Sequence, residues 1–210
     1  LVNSKASQER ADDTAIRVLD YFPATISIGG YKGKGRAKHP PRLQYLLNLT
    51  RHTPRDILQL MEYIRLADVV NPCARSGSTL SGDIIREGVL QYSAKYFVDA
   101  IRGELAGYHG GPEEVEMSLT ALKLLDTAQF TRSDFRESLK RQRAGLEAKA
   151  DEFLRLLFFA GALGNLFDNG RDRYMVFYHR RNDVEVNLHG RLVLHNALTH
   201  AWSRQFGMRP

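Results

Sequence analysis

Apolar positions recur at helical spacing along most of this chain and change to a β pattern only near its end. Residues 10–22 place Ile16, Leu19 and Phe22 as a short amphipathic helix does. An irregular stretch from Pro23 to Pro41 follows, with GGYKGKGRAKHPP reading as an exposed loop. The helical period returns at Leu43 in LQYLLNL. The next helix has a marked start, with Thr53 as cap, Pro54 in the first position and Asp56 favouring the dipole. Ile57, Leu60, Met61, Ile64 and Leu66 are expected to line its buried side. After the loop NPCARSGST (71–79), a long helix is expected from Asp83 to Leu105, capped by Thr79 or Ser81. Its apolar face is Ile84, Ile85, Val89, Tyr92, Tyr96, Phe97, Ile101 and Leu105.

The turn YHGGP (108–112) sets Pro112 at the start of a helix carrying Val115, Leu119, Leu122 and Leu125. Thr131 caps a helix of mixed charge, SDFRESLKRQR, and residues 147–160 form a strongly apolar helix ending at Gly161. YMVFY (174–178) and VEVNL (184–188) then read as a hairpin around the polar turn HRRND, and a last helix is expected over 190–203 with Leu192, Leu194, Leu198 and Trp202. The fold class expected is mainly α, a helical bundle followed by a winged-helix module with one small β-hairpin. No internal repeat is visible.

Composition changes this picture little. Of 210 residues, 43% are hydrophobic and 26% charged, which excludes wholesale disorder, collagen-like repeats and a disulfide scaffold. The single cysteine, Cys73, has no partner in the chain and fits a reducing compartment, so a cytoplasmic location is expected. The longest apolar run, Leu156 to Leu163, is far short of the about 20 residues a membrane span needs, and no membrane partner is expected. The sequence opens on Leu with no charged-then-apolar leader after it, so it is expected to be a trimmed piece without a signal peptide. The net charge of +6 gathers at the start: residues 1–80 hold twelve Lys/Arg against seven acids. A basic balance permits contact with nucleic acid.

Candidate chemistry is sparse. GYKGKGRA (30–37) has Gly30 and Gly35 at the separation of a phosphate-cradling loop, but Arg36 and Ala37 stand where the Lys and the metal-binding hydroxyl belong. It is expected to be a flexible basic loop. His195 and His200 are five apart, about 140° around a helix, and no Cys pair accompanies them, so no metal site is expected. There is no G-x-S-x-G, and Glu113, Glu114 and Glu116 serve a helix start, so no catalytic residue is assigned. Two basic groups remain. Arg171, Arg173, Arg180 and Arg181, with His179, cluster at the start and tip of the hairpin, where a wing either lies against a phosphate backbone or stands as a charged, solvated surface. Lys140, Arg141 and Arg143, beside Arg136, make a second basic face, weakened by Asp134, Glu137 and Glu147. Arg55 lies in the first turn of its helix, where backbone N–H groups and a permanent guanidinium charge together favour an anion. A surface pair with Asp56 or a neighbouring acid is the other reading of Arg55.

Two stretches carry a family resemblance. One is LTRHTPRDILQLMEYI (49–64) with IIREGVLQYSAKYFVDAIRGEL (84–105); the other is FLRLLFFAGALGNL (153–166) with YMVFYHRR (174–181) and LVLHNALTHAW (192–202). Over about 43–203 the chain resembles the C-terminal part of a family of bacterial P-loop ATPases related to AAA+ and STAND proteins. The resemblance implies a helical lid-like module over 43–110 and a winged-helix-like module over 111–210, behind an N-terminal helix and basic loop over 1–42. It implies that Arg55 matches the lid arginine that touches the nucleotide's terminal phosphate. The chain has neither Walker motif, so ATP and magnesium are implied as cofactors only with an upstream or separate nucleotide-binding domain. The expected role is a non-catalytic regulatory or binding portion of such an ATPase, coupling nucleotide state to DNA or protein contacts. The alternative is a stand-alone winged-helix regulator without nucleotide.

Overall fold

The computed structural model describes residues 20–26, 40–70, 79–107, 111–168, 170, 173–181 and 184–202. Most of the first expected helix, the glycine-rich loop 30–37, the loop holding Cys73, the centre of YHGGP and Arg171 lie outside the described residues. Helix α1 (Arg42–Leu47) buries Tyr45 and Leu46 and leads through a corner, 48–53, into α2 (Pro54–Val70). Thr53 caps α2 as expected, its Oγ1 accepting the Asp56 N–H at 3.1 Å. The buried stripe of α2 is Leu60, Ile64 and Ala67, spaced i, i+4, i+7; Leu66, expected inside, is 43% exposed because it falls one position off that stripe.

The long helix exists but is not uniform. It runs as α3 (Gly82–Gln91), a π-helical stretch Tyr92–Phe97 and α4 (Val98–Ala106) without a break. Of the two expected caps, Ser81 is the one used, its Oγ accepting the Ile84 N–H. The widened π turn, YSAKYF, buries Tyr92, Ser93 and Phe97 and leaves Tyr96 half-buried. Close approach of α2 and α3 depends on Gly88, where a Cβ would stand 2.5 Å from the Ile64 Cα.

The second half alternates helix and strand: α5 (Pro112–Lys123), β1 (Gln129–Thr131), α6 (Arg132–Gln142), a 3-10 turn Leu146–Lys149, α7 (Ala150–Phe159), β2 (Leu163–Asp168), β3 (Arg173–Val176), β4 (Arg191–Leu194) and α8 (Asn196–Ala201). Thr131 caps α6 in a reciprocal box with Asp134, and Gly161 ends the α7 region at φ 80°. The four strands form one antiparallel sheet in the order β1-β4-β2-β3.

This sheet corrects three expectations. The hairpin partner of 173–176 is β2, with Phe167 opposite Tyr174, so the turn lies between Asp168 and Arg173 and not at HRRND. VEVNL is no strand: buried Asn165 takes its backbone, donating to the Glu185 carbonyl at 2.8 Å and accepting the Asn187 N–H at 2.7 Å. Leu192 and Leu194 lie in β4 between β1 and β2, and only residues 196–201 of the expected last helix are helical. Leu192, Val193 and Leu194 are all buried, as a strand in the middle of a sheet requires, while the spacing of the two leucines also fitted a helix.

One main hydrophobic core holds residues from Phe22 to Leu198 and includes side chains of both halves. Helix α8 returns from the sheet to pack on the π stretch and α3. The molecule is thus mainly helical with a small antiparallel sheet. No described helix is long and apolar enough to cross a membrane.

Candidate functional site

The richest polar chemistry lies where the corner 48–53 meets the turn Tyr178–Arg180 that follows β3. The corner is tight: His52 adopts a left-handed φ of 58° and its N–H donates to Thr50 Oγ1. Arg51 is thereby turned onto Asp56 in the first turn of α2. Its Nε and Nη2 donate to the two carboxylate oxygens at 2.9 and 3.1 Å, and its backbone N–H adds a third bond at 3.1 Å. The π turn supplies a fourth donor, Tyr96 Oη, at 2.9 Å. Asp56 is fully buried; burial by itself would raise its pKa, but the Arg51 and Tyr96 hydrogen bonds and the Arg51 charge outweigh that and hold it below the usual carboxylate range.

Three histidines and a second arginine continue the cluster. His195, buried at the N-cap of α8, accepts the Ala197 N–H on Nδ1, so its proton sits on Nε2 and faces the Thr50 carbonyl at 3.3 Å. Its ring stacks on Phe97 at 4.5 Å, and burial first, then the charges nearby, keep it neutral well below its ordinary pKa. His179 lies 5.6 Å from His195 and 5.4 Å from His52, ring centre to ring centre. Neither of its buried ring nitrogens has a hydrogen-bond partner, and burial with the neighbouring Arg180 charge pushes its pKa down to about 3. Arg180 lies over the Phe177 ring at 5.2 Å and donates to Asn48 Oδ1 at 2.8 Å; its Nε has no partner. Both nitrogens of His195 are engaged, so this histidine row is not a ready set of metal ligands. No group of three or more metal-ligating side chains is found among the described residues.

No protein-family model, curated protein or solved structure matches this chain. Function therefore rests on this geometry.

The residues singled out in the sequence fall in different places. Arg55 is exposed beside the network, with no ion pair among the described residues. The surface Arg55–Asp56 pair is corrected: Asp56 faces inward and belongs to Arg51. The Arg55 charge does reach Tyr96, where it opposes the upward push of burial and of Asp56 on the phenol. Arg180 is not at a solvated hairpin tip; the 3-10 turn draws it into the cluster because Phe177 and Asn48 offer a face and an acceptor. Arg173 is spoken for by Gln129 and, at 3.9 Å, by Asp168, while Arg181 is exposed. Arg141 faces Glu137 at 4.0 Å and Arg143 faces Glu113 at 3.9 Å; Lys140 is exposed. The described hairpin arginines, Arg173, Arg180 and Arg181, are thus dispersed and do not form one patch.

Sequence reading missed Arg51 and the histidine row. The only local signal for Arg51 was its place five residues before Asp56, across a turn. His179 and His195 are brought together with residue 52 by tertiary packing alone.

Proposed function

We propose that this chain is the non-catalytic regulatory and binding portion of a nucleotide-dependent P-loop ATPase. In this reading a helical lid-like module over 43–110 and a winged-helix-like module over 111–210 couple the state of an upstream or separate nucleotide-binding domain to contacts with DNA or protein. The observation that carries the proposal is the buried lock between the two halves. Arg51, Asp56 and Tyr96 fix the first turn of α2, and with it Arg55, to the π turn. Thr50 with His195 and Asn48 with Arg180 fix the same corner to α8 and to the turn after β3. A displacement of Arg55 by a nucleotide domain is therefore felt in the second half without an intervening soft joint.

The element order supports the winged-helix part. Helix α5, strand β1, helices α6 and α7, then β2 and β4 with β1-β4-β2 antiparallel is a winged-helix order, with β3 added at the edge. Helix α7 then holds the position of the recognition helix. Its exposed side carries Glu152, Arg155 and Phe159, and its Asp151 is paired with Arg132. That mixed face suits a protein surface better than a phosphate backbone.

The test uses the protein together with its P-loop domain. Arg55→Ala should weaken the nucleotide-dependent change several-fold, measured as protease protection with and without ATP, while the melting temperature of the 210-residue chain stays unchanged. An unaltered nucleotide response, or magnesium-dependent ATP turnover by the 210-residue chain alone, overturns the reading.

A further inference from the structure

Away from the lock, the first turns of α6 and the turn at 188–190 enclose an open cleft of about 560 Å³. Arg132, Arg136 and Lys140 line it at i, i+4 and i+8, one stripe along the helix. The three differ in what they face. Arg132 is bidentate to Asp151 across to α7, at 2.5 and 2.6 Å. Arg136 and Lys140 have no acidic partner within 4.0 Å among the described residues. Two acids share the cleft, but both face other groups: Glu147 accepts the Gly145 N–H at 2.8 Å, and Glu137 lies 4.0 Å from Arg141. The dipole of α6 is not what is on offer, because Thr131 and Asp134 already close its N-terminus.

Two like charges one helical turn apart repel each other, and an anion in the cleft would relieve both at once. The rest of the lining limits the kind of anion. Among the described residues Leu188 is the only large apolar side chain in its lining, with no Phe, Tyr or Trp ring to stack a base; His189 at the rim is exposed. A ligand held here is held by its charge and not by an aromatic face.

We propose that this cleft binds the phosphate groups of a polyanion, with Arg136 and Lys140 as the phosphate contacts. The two sources of that chemistry are a nucleic-acid backbone and a free polyphosphate. The inference rests on the contact half of the proposed function and is independent of its nucleotide half. It places the phosphate contact on α6 and not on the described hairpin arginines, Arg173, Arg180 and Arg181, which are dispersed.

The experiment is fluorescence anisotropy of a labelled mixed-sequence duplex DNA at several salt concentrations, with inorganic tripolyphosphate as competitor. Two phosphate contacts give a slope of log K against log salt near −1.8 on duplex DNA, so Arg136→Gln with Lys140→Gln should flatten the slope by about that amount. Arg173→Gln should leave it unchanged. Release of the DNA by tripolyphosphate beyond what chloride produces at equal ionic strength assigns the site to phosphate. Tripolyphosphate binding that the double variant loses, without DNA binding, supports the cleft with a free polyphosphate as ligand. An unchanged slope in the double variant overturns the proposal, as does wild-type chain that binds neither probe. A failed Arg55 test with a flattened slope sinks the nucleotide coupling and leaves the cleft standing.

Discussion

The two basic regions of this molecule treat their charge in opposite ways. At the lock, Arg51 is 11% exposed and meets a fully buried carboxylate with matched geometry, and Arg180 lies on a ring with an amide oxygen at its tip. Along the cleft, Arg136 and Lys140 stand in solvent with no acidic partner within 4.0 Å among the described residues. A buried guanidinium deprived of its partner is costly, so the lock arginines are committed to structure. An exposed cation without a partner costs little, so the cleft cations are available to a ligand. Arginine content alone cannot separate the two kinds, and the hairpin arginines illustrate this, since one of them belongs to the lock.

The comparison breaks most visibly if the lock is not structural. Asp56→Ala removes the buried carboxylate of Arg51, leaving it only the exposed Glu104 at 3.3 Å, and should cost about 3–5 kcal/mol, read as a lower urea midpoint. A loss under about 1 kcal/mol would mean that the pair is a surface ion pair in effect. Gly88→Ala should cost about 1–3 kcal/mol, because its methyl must push α3 from the Ile64 backbone. Unchanged thermal unfolding in that variant would show that the two helices repack freely.

Acid should weaken the lock next. His179 and His195 stay neutral in the native chain, while the unfolded histidines protonate near pH 6.5. Their contribution is therefore intact above about pH 6.5 and is lost as pH falls from there toward about 3, the native value of His179. Each such histidine steepens the loss by about 1.4 kcal/mol per pH unit, and His179→Gln should remove one such step from the slope. Equal stability at pH 7.5 and 5.5 would contradict the burial of both rings. The smallest effect belongs to the solvent side: Arg55→Ala, and Arg136→Gln with Lys140→Gln, should each change stability by less than about 0.5 kcal/mol in a thermal melt. A drop of several degrees in either would move those residues into the structural class.

Much of the helical half was legible in the sequence because its signals are local. Thr53, Ser81 and Thr131 cap the helices they precede, and Ile84, Ile85, Val89, Ile101 and Leu105 are all buried at the spacing read. The sheet was harder. Asn169–Gly170 is a hairpin dipeptide in the sequence, and it, not HRRND, lies between the paired strands β2 and β3, where Gly170 has a left-handed φ of 82°. The sequence LVL offered no reason to choose strand over helix until β1 and β2 were seen on either side of it.

What the chain alone determined, then, was a mainly helical molecule with its caps, its buried stripes and part of its sheet; β1 (Gln129–Thr131) lies outside the β pattern the sequence displays. Periodicity and capping depend on residues within a few positions of one another, and a sequence displays those directly. Only the tertiary structure decided which cations are free. Arg51, Asp56, Tyr96, His179 and His195 come from four separate stretches, and their partnership arises where those stretches pack. Among the described residues Arg136 and Lys140 are left without an acidic partner for the same reason: Asp151 is engaged by Arg132, and Glu147 by a backbone N–H, choices made by distance in space and not along the chain.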